Sequence, residues 1–92
     1  MASYTVVRSK HATLTANVVD TVSFAQEIDI NGLEIVNLGT TDIYVGLDGN
    51  TPTVAGDETL LVRAGESLYI DEGSAVKLIS SGAAEYHVEG AR

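Results

Sequence analysis

The amino-acid sequence predicts an all-β fold: a single small antiparallel β-sandwich of about eight short strands, jelly-roll-like or a related barrel. Three observations carry that expectation. Apolar and polar residues alternate with period two in short runs spaced roughly 8–12 residues apart. No window of about 11 or more residues carries an apolar stripe at helical spacing. The apolar content is chiefly Val, Ile, Leu and Ala, interleaved with Thr and nine Gly. Branched side chains fit a pleated surface, and glycine serves turns.

The elements follow in chain order. Tyr4 and Val6 alternate with Ser3 and Thr5 as a weak first strand, and residues 12–16 alternate clearly. Val22 and Phe24 share one face of the next run, with Thr21 and Ser23 on the other. Residues 26–31 read as a polar connection ended by Gly32. Residues 33–38 and 42–47 read as two strands of a β-hairpin closed by Gly39-Thr-Thr41, with Ile43, Val45 and Leu47 on one face. Residues 48–58 form a long loop, and loops of that length in a small domain are often functional. Pro52 lacks an N–H and so keeps this stretch out of a central strand. Strands over 59–63, 67–71, 75–80 and 84–89 follow, separated by Gly-containing turns. Leu68, Ile70, Val76, Leu78, Tyr86 and Val88 fall on the inward phase, while Glu85, His87 and Glu89 fall outward.

A chain of 92 residues is one domain, read as an extended arm or edge strand over 1–16 and a β-sandwich over 17–92. At this size only roughly 60–65% of the unfolded surface is buried, so the core is thin. With no cysteine, disulfides and thiolate metal sites are excluded. Oligomerisation or docking on a larger surface remains as the way to bury more apolar area. Thirteen acids against five bases give a net charge of −8. That argues against nucleic acid and against an anionic membrane, both of which need a basic face. The charge is uneven: residues 1–19 hold Arg8 and Lys10 and no acid, with Asp20 the first carboxylate. The bland reading is a solvated terminus; the sharper one is an arm lying on an acidic partner. No signal-peptide h-region is present at the start and no run approaches ~20 apolar residues. The chain is therefore expected to be made in the cytoplasm and to stay soluble until it is built into something.

Candidate chemistry is sparse. Asp20, Glu27, Asp29 and Glu34 form a loose acidic group, which acid–base work would require to be desolvated; solvated surface charge is the ordinary reading. Asp48, Asn50, Asp57 and Glu58 could offer oxygen ligands to a hard cation, but the spacing is not that of an EF-hand and these are common turn residues. His11 and His87 are the only histidines; nothing in the sequence places them together, and zinc requires three or four convergent ligands. No nucleophile elbow and no phosphate-binding glycine loop is present. Tyr4, Tyr44, Tyr69 and Tyr86 are candidate interface anchors or sheet residues. No enzyme, cofactor or metal site is expected.

The stretch from Leu33 to Glu89 resembles small structural proteins of tailed-bacteriophage virions, including capsid decoration (cement) proteins. The likeness lies in Leu33-Glu-Ile-Val-Asn37, Asp42-Ile-Tyr-Val-Gly-Leu-Asp-Gly49, Thr51-Pro-Thr-Val-Ala-Gly56, Val62-Arg-Ala-Gly-Glu-Ser67, Val76-Lys-Leu-Ile-Ser-Ser-Gly82 and Tyr86-His-Val-Glu-Gly90, about two thirds of the chain. These are strand and turn motifs rather than chemistry. The resemblance implies a non-enzymatic virion protein, made in the host cytoplasm, that binds the major capsid protein of an assembled head shell. It also implies a homo-oligomer, a trimer being favoured. Under that reading the arm (Tyr4, Arg8, Lys10, His11) and the residues Tyr44, Asn50 and Pro52 are the partner-binding candidates. The arm would add a strand to a neighbouring sheet edge, with loop 48–58 as a second contact. A tail or neck component, and a carbohydrate-binding or adhesin-like module, are the alternatives. The second is weakened by the absence of Trp and the single Phe.

Overall fold

A computed structural model describes residues 6–24, 30–46, 50–57, 59–70 and 75–91. Tyr4, Glu27, Asp29, Asp48 and Glu58, all named above, lie outside these residues. The described strands are β1 (Val6–Thr13), β2 (Asp20–Ser23), β3 (Gly32–Asn37), β4 (Ile43–Gly46), β5 (Thr59–Val62), β6 (Ser67–Ile70), β7 (Ala75–Ser80) and β8 (Glu85–Ala91). They form two four-stranded sheets, ordered β1-β8-β3-β6 and β2-β7-β4-β5. Every ladder is antiparallel.

The pairs β1–β8, β2–β7, β3–β6 and β4–β5 are those of one long hairpin folded back on itself at the β4–β5 connection. The further ladders β3–β8 and β4–β7 roll that hairpin into two stacked sheets. The result is a double-sheet jelly roll. Only β4 and β5, of the strands consecutive in sequence, lie side by side in one sheet.

The hairpin expected over 33–47 is therefore a correction. β3 belongs to the first sheet and β4 to the second, and they do not pair. A short Gly-Thr-Thr link looks alike whether it turns a hairpin or a corner between sheets. The partners decide the outcome: β3 is flanked by β8 and β6, and β4 by β7 and β5. Residues 12–16 are likewise split. Ala12 and Thr13 end β1, and Leu14 leaves the strand yet is buried in the core. β1 is hydrogen-bonded to β8 and forms an edge of the first sheet.

Alternation sets the core. Leu33 and Ile35 of β3, Ile43 and Val45 of β4, Val76 and Leu78 of β7, and Tyr86 and Val88 of β8 point between the sheets and are buried. Two polar residues share this inward phase, Asn37 at the end of β3 and Ser80 at the end of β7, and both are fully buried. Their bonds explain why they are there. The Asn37 amide nitrogen donates to the carbonyls of Thr41 (2.8 Å) and Val62 (3.0 Å). Its oxygen accepts from the Gly39 N–H (2.9 Å). The Ser80 hydroxyl donates to the Asp42 carbonyl (2.7 Å) and lies 2.8 Å from Thr41 Oγ1. A hydroxyl has one proton, so Thr41 is the donor to Ser80.

Backbone bonds extend this cluster. The Asn37 N–H donates to the Glu66 carbonyl, Gly65 to Asn37, Leu38 to Glu85, Leu14 to Ala84 and Asn17 to Ser80. The four connections β1–β2, β3–β4, β5–β6 and β7–β8 thus meet at one end of the roll. Asn17 (φ 62°) and Gly65 (φ 81°) supply the left-handed backbone that two of these turns need.

A second tie crosses the core. The Tyr86 hydroxyl donates to Asp20 Oδ2 at 2.5 Å, joining β8 of the first sheet to β2 of the second. Burial first, then the hydrogen bond to Asp20 and its charge, push the Tyr86 hydroxyl well above its ordinary pKa of 10.0.

Two outcomes are expected. Asn37→Ala strands the two carbonyls it serves and should lower the unfolding free energy by about 2–3 kcal/mol in urea denaturation; a change below about 0.5 kcal/mol would contradict the role given to its amide. Tyr86 has a folded pKa raised above its unfolded value of 10.0, so its contribution is complete below pH 10 and falls as pH rises further. The loss approaches ~1.4 kcal/mol per pH unit. Alkaline unfolding of the wild type should be steeper than that of Tyr86→Phe, and coincident pH profiles would contradict the coupling.

Candidate interaction surfaces

The side chains that point away from the core divide the molecule into two unlike faces. On the first sheet, cross-strand register lines up Thr13 with Glu85, His11 with His87, and Ser9 with Glu89. β3 and β6 continue the rows, with Val36 opposite His87 and Ser67, and Glu34 opposite Glu89 and Tyr69. Among the described residues this face carries three carboxylates, Glu34, Glu85 and Glu89, and both histidines of the chain.

The histidines are neighbours, a proximity that nothing in the sequence announced. They occupy directly opposed positions on β1 and β8, with ring centroids 5.8 Å apart. Only the long-range register brings together residues 76 positions apart, so no local motif could have announced the pair. His11 Nε2 lies 2.5 Å from Glu85 Oε2, and His87 Nε2 lies 3.2 Å from Glu89 Oε2. The first of these pairs is half exposed on both sides, and such pairs contribute only ~0–1 kcal/mol. Among the described residues, no group of three or more His, Cys, Asp or Glu side chains is placed to hold a metal ion. Glu34 and Glu89 face each other as like charges, an arrangement that disfavours a carboxylate-bearing partner on this side.

The second sheet presents a different face. Its outward positions are Thr21 and Ser23 on β2, Ala75, Lys77 and Ile79 on β7, Tyr44 and Gly46 on β4, and Thr59 and Leu61 on β5. None is a carboxylate and Lys77 is the one charged residue among them. Ile79, Tyr44 and Leu61 are opposed across three strands and form an apolar row. Leu61 is 43% exposed at the sheet edge, while Ile79 is 6% exposed.

The β4–β5 loop folds back onto this same face. A Cβ at Gly46 would collide with the Asn50 carbonyl oxygen and approach Pro52 Cδ to 3.0 Å. Absence of a side chain at position 46 is what lets the loop lie there. Asn50 remains exposed, while Pro52 is fully buried and closed to any partner. Tyr44 is half-buried rather than freely exposed.

The sequence candidates thus fall into two separate groups. Arg8, Lys10 and His11 lie on β1 at the edge of the first sheet. Tyr44, Asn50 and Pro52 gather around Gly46 on the outer side of the second sheet. Leu61 and Ile79 were not singled out from the sequence. Their signal was present, since each falls out of phase with the inward residues of its strand and is nonetheless a large aliphatic.

Gly46→Ala should displace the loop from the face and cost about 1–3 kcal/mol of stability. Thermal melts together with proteolysis within residues 50–57 would check this; an unchanged melt and unchanged cleavage would contradict the packing.

Among the described residues, no helix is long and apolar enough to cross a membrane. No protein-family model matches the chain, and no curated protein matches it.

Proposed function

We propose that this chain is a non-enzymatic structural protein of a phage virion, a capsid decoration protein that docks on the assembled head shell. The contact is the outer face of its second sheet. One observation carries the reading: a chain of net charge −8 keeps nine outward strand positions of one sheet free of carboxylates and ends the row Ile79-Tyr44-Leu61 in an exposed leucine at the sheet edge, with Tyr44 half-buried and Ile79 buried behind it. Acidic residues elsewhere favour solubility, while the carboxylate-free strand positions of this face lower the desolvation cost of docking there.

The likeness of residues 33–89 to small tailed-phage virion proteins supports the same reading. So does the architecture, by analogy of fold: double-sheet jelly rolls recur in viral shells. The molecule measures 35 × 24 × 21 Å. A face of at most 35 × 24 Å is of the size used by a specific interface, ~800 Å² per partner. The mechanism is adhesion: the partner is the major capsid protein, and a copy that spans neighbouring shell subunits ties them together. The site of action is the capsid surface of the virion.

Co-sedimentation with purified shells tests the proposal. The wild type should saturate shells at a fixed ratio to the capsid subunit. Leu61→Glu, which puts a charge in the apolar row, should weaken binding at least tenfold, roughly 1.4 kcal/mol, while leaving the melting curve in place. Binding to purified tails or connectors instead of shells, or unimpaired shell binding by Leu61→Glu, would overturn it.

A further inference from the structure

The outer face of the first sheet holds a side-chain cluster that shell docking does not use. His11 and His87 stand directly opposed on β1 and β8, where cross-strand side chains are neighbours. Their ring centroids are 5.8 Å apart and their planes are tilted by 59°. Two imidazoles bound to one metal ion at about 2.1 Å have centroids from ~4.5 Å apart at a right angle to ~6.4 Å apart in line. The observed spacing lies inside that span. The rings are not stacked, so lone pairs in their planes can converge on one point.

The carboxylates decide which nitrogen is available. His11 Nε2 contacts Glu85 Oε2, and His87 Nε2 contacts Glu89 Oε2. A carboxylate only accepts hydrogen bonds, so Nε2 donates in each ring, and the neutral imidazole keeps its lone pair on Nδ1. A carboxylate on one ring nitrogen and a metal on the other is the common arrangement of a histidine ligand, because the carboxylate orients the ring and raises its basicity. Both rings already have that second partner.

Charge and access point the same way. Among the described residues, the outward strand positions of this face hold Glu34, Glu85 and Glu89 and no Lys or Arg. Such a field raises the local concentration of cations. His11 is half exposed and His87 partly exposed, so an ion can reach both from solvent.

We propose that His11 and His87 chelate one divalent late transition-metal ion, copper(II) or nickel(II), through their Nδ1 atoms. The chain supplies two nitrogens, and no group of three or more ligating side chains converges among the described residues. That falls short of the three or four protein ligands of a zinc site. Copper(II) and nickel(II) accept a tetragonal set of nitrogen and oxygen donors, which solvent completes, and imidazole suits both. Magnesium and calcium ions prefer oxygen ligands throughout. The bound ion ties β1, an edge strand, to β8. The site lies on the sheet remote from the shell-docking face, so it stands or falls independently of that proposal.

The test titrates the full chain with nickel chloride by calorimetry and follows its thermal melt, with magnesium chloride as the control. The wild type should bind one nickel ion per chain and melt higher in excess nickel, since an ion that binds only the folded state stabilises it. Magnesium should do neither. His11→Gln and His87→Gln should each weaken nickel binding at least tenfold and abolish the rise in melting temperature, because a chelate needs both rings. Circular dichroism confirms that both variants are folded. Copper(II) should bind the wild type more tightly than nickel(II). Absence of nickel binding at millimolar concentration overturns the proposal. So does a loss in only one of the two variants, which marks a single-histidine contact, or a stoichiometry of one ion per two chains.

Discussion

The fold depends on how one end of the roll disposes of its backbone polar groups. In a jelly roll most connections pass from sheet to sheet, and each such corner interrupts the hydrogen-bonded ladders. Here four corners meet, and two inward-facing polar side chains stand where the core would otherwise be apolar. Asn37 bridges the β3–β4 corner to the end of β5, and Ser80 bridges the end of β7 to the same corner. No buried side-chain nitrogen or oxygen among the described residues lacks a partner. A polar cluster in a low-dielectric interior is stabilising only when satisfied in this way.

That constraint propagates outward. With the corners fixed, the register of each ladder is fixed, and register decides which side chains share a face. β8 pairs with both β1 and β3, which gathers His11, Glu85, His87, Glu89 and Glu34 on one side of the molecule. β4 pairs with both β7 and β5, which aligns Ile79, Tyr44 and Leu61 on the other. A slip of one residue in either central strand would exchange these sets with the core. The unlike faces of the sandwich are therefore a consequence of the same corners, and the functional reading rests on that difference in charge.

Much of this was legible in the sequence, for identifiable reasons. Period-two alternation reports a half-buried strand directly, so the all-β class, most of the strands and the inward set of β4, β7 and β8 could be read from it. Asn37 and Ser80 were readable in principle, since each continues an inward series in a polar residue. Topology was not. The link after Asn37 carries ordinary turn residues, and whether it closes a hairpin or rounds a corner is settled by partner strands elsewhere in the chain, up to 59 positions away. The His11–His87 contact and the division of the partner-binding candidates into a β1 group and a Gly46 group depend on the same distant pairings. Burial of Pro52 depends on the glycine at position 46, whose importance appears only once the loop is seen to lie across it.

Docking on a shell through the outer face of the second sheet is the central proposal. Amide hydrogen exchange, compared for the free protein and the shell-bound protein, tests this most directly. The account predicts added protection in residues 50–62, covering the folded-back loop and the β5 edge, with little change in β8 beneath the histidines and glutamates. Added protection confined to β8 and β3, or none anywhere on shells that retain the protein, would contradict it.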